Sequence, residues 1–264
     1  MDQEFSNARD YVTNLASRGR YHFTSAEAKA ALSASADAVK LALLRLAKQG
    51  LIASPSRGFH VIVPPEYKSL GCLPADQFIP QLMEHLNQPY YAGLLSAAQF
   101  YGAAHHRPQE FQVFTEKPRR ALKCGKVRVA FIVRKQLRDV LTKPFNTPRG
   151  AVAVSTPEAT AVDLVGYPDH AGGIEQSATV LSELAEQLDP HKLVSAAQTA
   201  PMPWAQRLGY LLELSERPEV AGALKEYVRQ YARNTVPLAL HSDNEGERSS
   251  DWKLLINEDV EPEF

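Results

Sequence analysis

The residues that could do the most specific chemistry in this sequence are cations spaced along one predicted helix, residues 36–49. Ser35, Asp37 and Lys40 fall at its first turns, where a helix seated in a DNA groove reads base edges. Arg45 and Lys48 fall nearer its end, where cations contact phosphates. The pattern predicts a DNA-reading helix, although an ordinary solvated face would carry the same cations.

Two leucines complicate that face of the helix. Leu41 and Leu44 fall on the outer side of the helical wheel, away from the apolar stripe that contains Val39, Leu43 and Leu46. Outward leucines either contact thymine methyl groups or dock against another part of the protein. A protein-binding adaptor that uses these leucines is therefore one alternative interpretation of the sequence.

Arg57 and Gly58 occupy the tip of a predicted hairpin directly after that helix. Glycine tolerates the tight backbone of such a turn, and a cation held there reaches a minor groove or a phosphate. A plain hairpin turn is the alternative. We expect the pair to extend the surface formed by the helix.

A second, denser cluster of cations lies within residues 117–138. Its members are Lys117, Arg119, Arg120, Lys123, Lys126, Arg128, Arg134, Lys135 and Arg138. Such a patch can neutralise several phosphates, and each contact steepens the salt dependence of binding. The alternative is a solubilising face that pairs with acidic parts of the chain.

The net charge of −1 conceals an uneven distribution of charge between the two halves of the chain. Residues 1–150 contain 21 Lys and Arg against 11 Asp and Glu, whereas residues 151–264 contain 8 against 19. This favours a polyanion as partner of the basic half, or attraction between the halves. With no secretory signal, no long apolar run and no motif around Cys72 and Cys124, we expect a cytoplasmic protein with reduced thiols and no membrane contact.

Catalytic and metal-binding patterns are missing from the sequence. It has no phosphate-cradling glycine loop, no Gly-x-Ser-x-Gly, and no paired histidines at helical spacing, since His105 and His106 are adjacent. Glu158 and Asp163 are expected to cap a helix and to lie at the surface. We expect no catalytic residue, no metal and no cofactor. A nucleic-acid-processing enzyme with a winged-helix targeting domain is the alternative, and it would need acids clustered on strands.

The elements that position these residues follow a familiar order. A helix over residues 5–17, a short strand, helices 25–32 and 36–49, and strands 51–54 and 59–63 are predicted in turn. Thr24 and Glu27 form a predicted capping box for the second helix, and Gly50 ends the third. This order is typical of a winged helix-turn-helix.

A larger region follows a predicted linker. Helical spacing covers residues 77–86, 91–101, 157–165, 174–188, 191–198, 203–215 and 218–231. Strands are expected at 110–115, 126–133, 151–154, 236–240 and 252–256. The polar residues 241–250 are expected to form a loop. The sequence thus predicts an α+β fold. Its domains are a winged helix-turn-helix DNA-binding domain at 1–65, a linker at 66–76 and a mixed α/β domain at 77–264.

Two stretches of this larger region resemble a known family. They are YYAGLLSAAQFYGAAHHRPQEFQVFT (residues 90–115) and GAVAVSTPEATAVDLV (residues 150–165). Together with the winged helix they resemble the AbiEi antitoxins of type IV toxin–antitoxin systems, and the resemblance spans nearly the whole chain. It implies a C-terminal antitoxin domain that neutralises a nucleotidyltransferase-like toxin of the AbiEii type without a stable complex.

The resemblance also implies a transcriptional role. The winged helix of such proteins binds inverted repeats in double-stranded DNA upstream of their operon and represses it, which is autoregulation. Carried over to this sequence, the DNA-reading positions are Ser35, Asp37, Lys40 and Arg45, with Arg57 on the wing. Asp37 departs from what a phosphate-facing helix favours, because a carboxylate is repelled there unless a cytosine amine donates to it.

Overall fold

The N-terminal elements of the computed structural model, which describes residues 5–103, 108–215, 218–242 and 245–261, have the predicted order. They are α1 (Ala8–Ser17), β1 (His22–Thr24), α2 (Ser25–Leu32), α3 (Ala36–Lys48), β2 (Ile52–Ser56) and β3 (Phe59–Ile62). The strands form an antiparallel sheet in the order β1-β3-β2. The winged helix-turn-helix predicted from the sequence is confirmed.

Local sequence fixes where these helices begin. The Glu27 backbone N–H donates to the Thr24 hydroxyl at 3.1 Å, and the Glu27 carboxylate accepts from the Thr24 N–H at 2.6 Å, so the predicted capping box is present. Arg20 also pairs with Glu27. Burial raises the pKa of the Glu27 carboxyl, but the hydrogen bonds from Arg20 and Thr24 outweigh it and hold that pKa below its usual range. Ser33 adopts a left-handed backbone (φ 45°) that turns the chain from α2 towards α3.

The apolar stripes of the three helices meet in one core. Tyr11, Phe23, Val39 and Leu43 are all buried there, and Ile62 joins them from the sheet. The other face of the wing sheet packs differently. Its buried residues join a second core formed with later segments of the chain.

The middle of the chain supplies those segments. Its elements are α4 (Ile79–His85), β4 (Tyr90–Ala92), α5 (Leu94–Phe100), β5 (Phe111–Thr115), β6 (Leu122–Cys124), β7 (Val127–Val133), β8 (Thr142–Thr147) and β9 (Gly150–Ser155). β7 pairs in parallel with β5 and antiparallel with β6. The prediction of helix from Tyr91 is wrong at its start, because Tyr91 and Ala92 are extended and α5 begins only at Leu94. β6 and β8 were not predicted.

The remaining elements are mainly helical. They are α6 (Pro157–Gly166), α7 (Pro168–Ala171), α8 (Ile174–Leu184), α9 (Pro190–Ala197), α10 (Met202–Leu214), α11 (Pro218–Tyr231), β10 (Val236–Pro237), β11 (Glu247–Ser249) and β12 (Leu254–Ile256). The two late apolar stretches return to a sheet as expected, with order β10-β12-β11. The predicted loop between them contains β11. The α+β fold class is confirmed, and none of the described helices combines the length and apolarity that a membrane span needs.

The chain divides into two compact units. Unit 1 contains Met1–Tyr90, Gln109–Arg134 and Pro144–Ala153, and unit 2 contains Tyr91–Pro108, Lys135–Lys143 and Val154–Phe264. In unit 1 the second core joins Phe59 and Val61 of the wing to Cys72, Leu122 and Val129. Cys72, in the predicted linker, is thus buried, and both cysteines are free thiols. The domain boundaries at 65 and 76 stay a prediction.

Two helical glycines of unit 2 give a matched test of the packing. A β-carbon at Gly209 in α10 would overlap the Trp252 ring, whereas one at Gly222 in α11 would meet nothing within 4 Å. We expect Gly209→Ala to lower the free energy of unfolding by about 1–3 kcal/mol through overpacking. Gly222→Ala should raise it by up to about 1 kcal/mol through helix propensity. Urea unfolding measures both, and equal effects of the two substitutions would contradict this packing.

Candidate nucleic-acid interface

One side of α3 is exposed along its whole length. Val39, Leu43 and Leu46 face the core, as the helical wheel predicts. The exposed positions include all five residues proposed to contact DNA on this helix and its cap, namely Ser35, Asp37, Lys40, Arg45 and Lys48. The structure therefore brings these side chains together on one solvent-facing surface.

Two of these residues also stabilise the start of α3. The Ser35 hydroxyl accepts a hydrogen bond from the Ala38 backbone N–H at 3.3 Å and so caps the helix. Asp37 lies in the first turn, where the positive end of the helix dipole stabilises a carboxylate. The helix dipole thus accounts for an acid on an otherwise cationic surface without a base contact.

The same surface carries two exposed leucines. Leu41 is 53% exposed and Leu44 is 51% exposed. Leu44 also borders a groove of about 440 Å³ between α2, α3 and the wing, which Lys29, Lys40 and His60 help to line. The outer face of α3 therefore combines cations with apolar side chains.

The tip of the wing is fixed to the start of α2. Gly58 has φ +77°, a backbone that L side chains rarely adopt, and its carbonyl accepts from the Ser25 N–H at 2.9 Å. Arg57, next to it, is exposed. The turn thus presents Arg57 to solvent from an anchored backbone, as the sequence predicted.

A buried histidine, which the sequence reasoning missed, ties the wing to the helices. One ring nitrogen of His60 hydrogen-bonds the Ser25 hydroxyl at 2.9 Å and the other the Ser54 hydroxyl at 2.8 Å. The ring stacks on Phe23 with centroids 5.1 Å apart. Burial lowers the pKa of the His60 imidazole. No sequence pattern distinguishes this histidine, because both partners depend on the tertiary fold.

The second cationic cluster is divided by the fold. Arg134 is only 3% exposed, so the expectation that it offers an open phosphate contact is corrected. Arg119 is half-buried with its guanidinium 5.3 Å from the centre of the Phe131 ring. Lys135 and Arg138 belong to unit 2. The exposed members in unit 1 are Lys117, Arg120, Lys123, Lys126 and Arg128.

The two acids of α6 are not at the surface, contrary to expectation. Asp163 is fully buried and accepts a hydrogen bond from the Tyr91 hydroxyl at 2.8 Å. Glu158 is 5% exposed and accepts from the Asp189 backbone N–H at 3.2 Å. Both carboxylates are thus held by polar partners inside unit 2.

The described residues contain no group of three or more His, Cys, Asp or Glu side chains arranged to hold a metal ion. His105 and His106 lie outside the described residues. The acids with the best-defined partners, Glu27, Glu158 and Asp163, cap helices or accept buried hydrogen bonds.

Comparison with known proteins finds similarity in the middle and later parts of the chain. The model of the AbiEi antitoxin C-terminal domain matches residues 91–214, slightly less than half of the chain, and confirms the resemblance noted in the sequence for these residues. Among solved structures, the crystal structure of the RV2827C protein from Mycobacterium tuberculosis is similar with a TM-score of 0.70. It is 18% identical and the match covers 97% of this chain and 92% of that one, which shows a common fold. No curated protein has a matching sequence.

The buried His60 predicts a pH dependence of stability. The folded protein favours the neutral ring, so the contribution is complete above the unfolded pKa of about 6.5 and declines as pH falls below it. We expect the free energy of unfolding to drop by at most about 1.4 kcal/mol per pH unit from this group between about pH 7.5 and pH 5.5. Urea unfolding at both pH values should show a smaller drop for His60→Gln. An identical drop in the variant would exclude His60 as the source.

Proposed function

We propose that this protein, whose residues 91–214 match the AbiEi antitoxin C-terminal domain, is an antitoxin that also represses its own operon. The winged helix binds inverted repeats in the promoter, and the C-terminal part neutralises a nucleotidyltransferase-like toxin of the AbiEii type. The protein acts in the cytoplasm by binding and not as an enzyme. The observation that carries the DNA-binding half is the exposed face of α3 beside an anchored, cation-tipped wing.

The proposed contacts divide by chemistry. Lys40 near the start of α3 reads a base edge, and Ser35 has a hydroxyl proton to donate while its oxygen caps the helix. Arg45 and Lys48 towards the end of the helix contact phosphates. Leu41 and Leu44, which are half-exposed on the same face, contact thymine methyl groups.

Arg57 is assigned to a minor groove or phosphate beside the site that α3 occupies. The hydrogen bonds from Ser25 to the Gly58 carbonyl and between Ser25 and His60 support this assignment, because they hold the wing against α2 in the absence of DNA. A preformed surface loses less conformational entropy on binding than a mobile one.

Operator binding is tested on the protein's own promoter. We expect protection of an inverted repeat in a footprint, and Lys40→Gln with Arg57→Gln should weaken binding about 10- to 100-fold, at roughly 1 kcal/mol or more for each contact. The matched control is Lys192→Gln with Arg233→Gln, which removes the same charge from exposed positions of unit 2. A promoter without a protected repeat would end the autorepression proposal.

Toxin neutralisation is tested by co-expression with the nucleotidyltransferase toxin of the same operon from independent promoters. We expect the protein to restore growth, and the Lys40→Gln, Arg57→Gln variant to restore it equally, because the proposed DNA contacts are not part of neutralisation. Affinity purification from the same cells should recover no stable complex. Growth arrest that persists with soluble, folded protein present would contradict the antitoxin role.

A further inference from the structure

An unusual pairing of like charges marks the hairpin formed by β6 and β7. Lys123 and Arg128 are directly opposite each other in the antiparallel register, and both are exposed. Like charges in such cross-strand positions destabilise a hairpin. An arrangement that costs stability calls for a compensating partner, and a bound anion would supply it.

The exposed cations around this pair form no ion pair within the part of the chain that the structure describes. Among the described residues, no carboxylate forms an ion pair with any of the exposed cations in this part of unit 1, which we call the cationic hairpin: Lys117, Arg120, Lys123, Lys126 and Arg128. Their charge remains available to an external polyanion.

The cationic hairpin is fixed to the wing within unit 1. Strand β6 packs beside the wing strand β2, and Cys124 shares the second core with Ala53 of that strand. At the turn of the hairpin the Lys126 N–H donates to the Leu70 carbonyl at 2.8 Å. The hairpin is thus held at its strand and at its turn.

The cationic hairpin and the wing tip are separated by only a short length of strand. Arg57 lies three residues beyond Ser54, roughly 10 Å along an extended chain. Lys123 is the immediate neighbour of Cys124, which shares the second core with Ala53, the residue before Ser54. This separation is short beside the about 34 Å of one turn of B-DNA. A single duplex can therefore reach both.

We propose that the cationic hairpin binds the phosphate backbone of double-stranded DNA next to the segment that the winged helix occupies. The inference rests on the proposed DNA-binding function and extends it to a second, sequence-independent contact. Lys123 and Arg128 are its centre, where a phosphate between the two strands offsets their repulsion. Lys117, Arg120 and Lys126 add further phosphate contacts around them.

Duplex DNA fits the cationic hairpin better than a single strand. Proteins that bind single strands stack the bases on exposed aromatic rings. The aromatic ring of β7, Phe131, is half-buried and has the Arg119 guanidinium over it. The hairpin therefore offers charge without a stacking platform, which suits a regular backbone.

The test measures the salt dependence of DNA binding by the full chain. Fluorescence anisotropy follows binding to a random-sequence duplex and to the promoter duplex, each about 30 base pairs or roughly three turns long. The variant is Lys123→Gln with Arg128→Gln, and the control is Lys192→Gln with Arg233→Gln. For both duplexes we expect the variant's slope of log affinity against log salt to be less steep by about 2, and its affinity to be roughly tenfold weaker at about 150 mM salt. The control should match the wild type.

Thermal unfolding distinguishes the loss of a DNA contact from a loss of stability. Since the substitution removes a repulsion, the melting temperature of the variant should equal or exceed that of the wild type. Weaker DNA binding by a variant of undiminished stability then reports a lost contact. An unchanged salt slope, or an equal change in the control, overturns the proposal.

The two duplexes separate this proposal from autorepression. If the promoter binds no tighter than the random duplex while the variant still loses slope, the operator proposal fails and the cationic hairpin stands. If promoter binding depends on Lys40 and Arg57 but not on the hairpin, the operator proposal stands and the proposal for the cationic hairpin fails. Loss of single-stranded RNA binding in the variant, with duplex DNA binding intact, would overturn the assignment to DNA.

Discussion

Two hydrogen bonds to one buried imidazole hold the wing and the helices of this protein in a single arrangement. His60 reaches Ser25 at the first residue of α2 and Ser54 on β2, so both ring nitrogens are engaged by different elements. The ring is shielded from water, and a charged imidazole would have to give up one of its two hydrogen-bonding modes. The position of the wing relative to α2 therefore depends on a neutral histidine.

Residues at the start of α3 show how one side chain serves both folding and recognition. Ser35 must supply an oxygen to the helix end, and Asp37 balances the partial positive charge of that end. A surface meant for a polyanion would be more attractive without the acid. Asp37 stabilises the helix that carries Lys40 and Arg45, and those two cations depend on that helix for their positions.

Local signals in the sequence were sufficient for the winged helix. The Thr24–Glu27 capping box, the apolar spacing in α3 and Gly50 each act within a few residues, so the elements follow from the chain alone. The exposure of the candidate residues on α3 was predictable in the same way, because the helical wheel places Val39, Leu43 and Leu46 in the core. The exposure of Arg57 was predictable from its place in the turn of the hairpin. Short strands such as β6, with three residues, carry too little pattern to be recognised.

What could not be predicted depends on distant contacts. Three charged residues are buried although residues of their type usually lie at the surface: Arg134, Glu158 and Asp163. The buried Asp163 accepts a hydrogen bond from Tyr91, which is 72 residues away in the sequence. His60 was missed for the same reason. Its role exists only after two separate elements have met.

The shared core of unit 1 has a bearing on how new DNA specificities can arise in such proteins. Phe59 and Val61 of the wing pack with Leu122 and Val129 from much later in the chain. A winged helix grafted in from another regulator would bring a wing face evolved for water, and it would leave the apolar residues of the later strands uncovered. Recombination of whole modules is therefore a poor route to a new operator, whereas point substitutions on the outer side of α3 leave that packing intact.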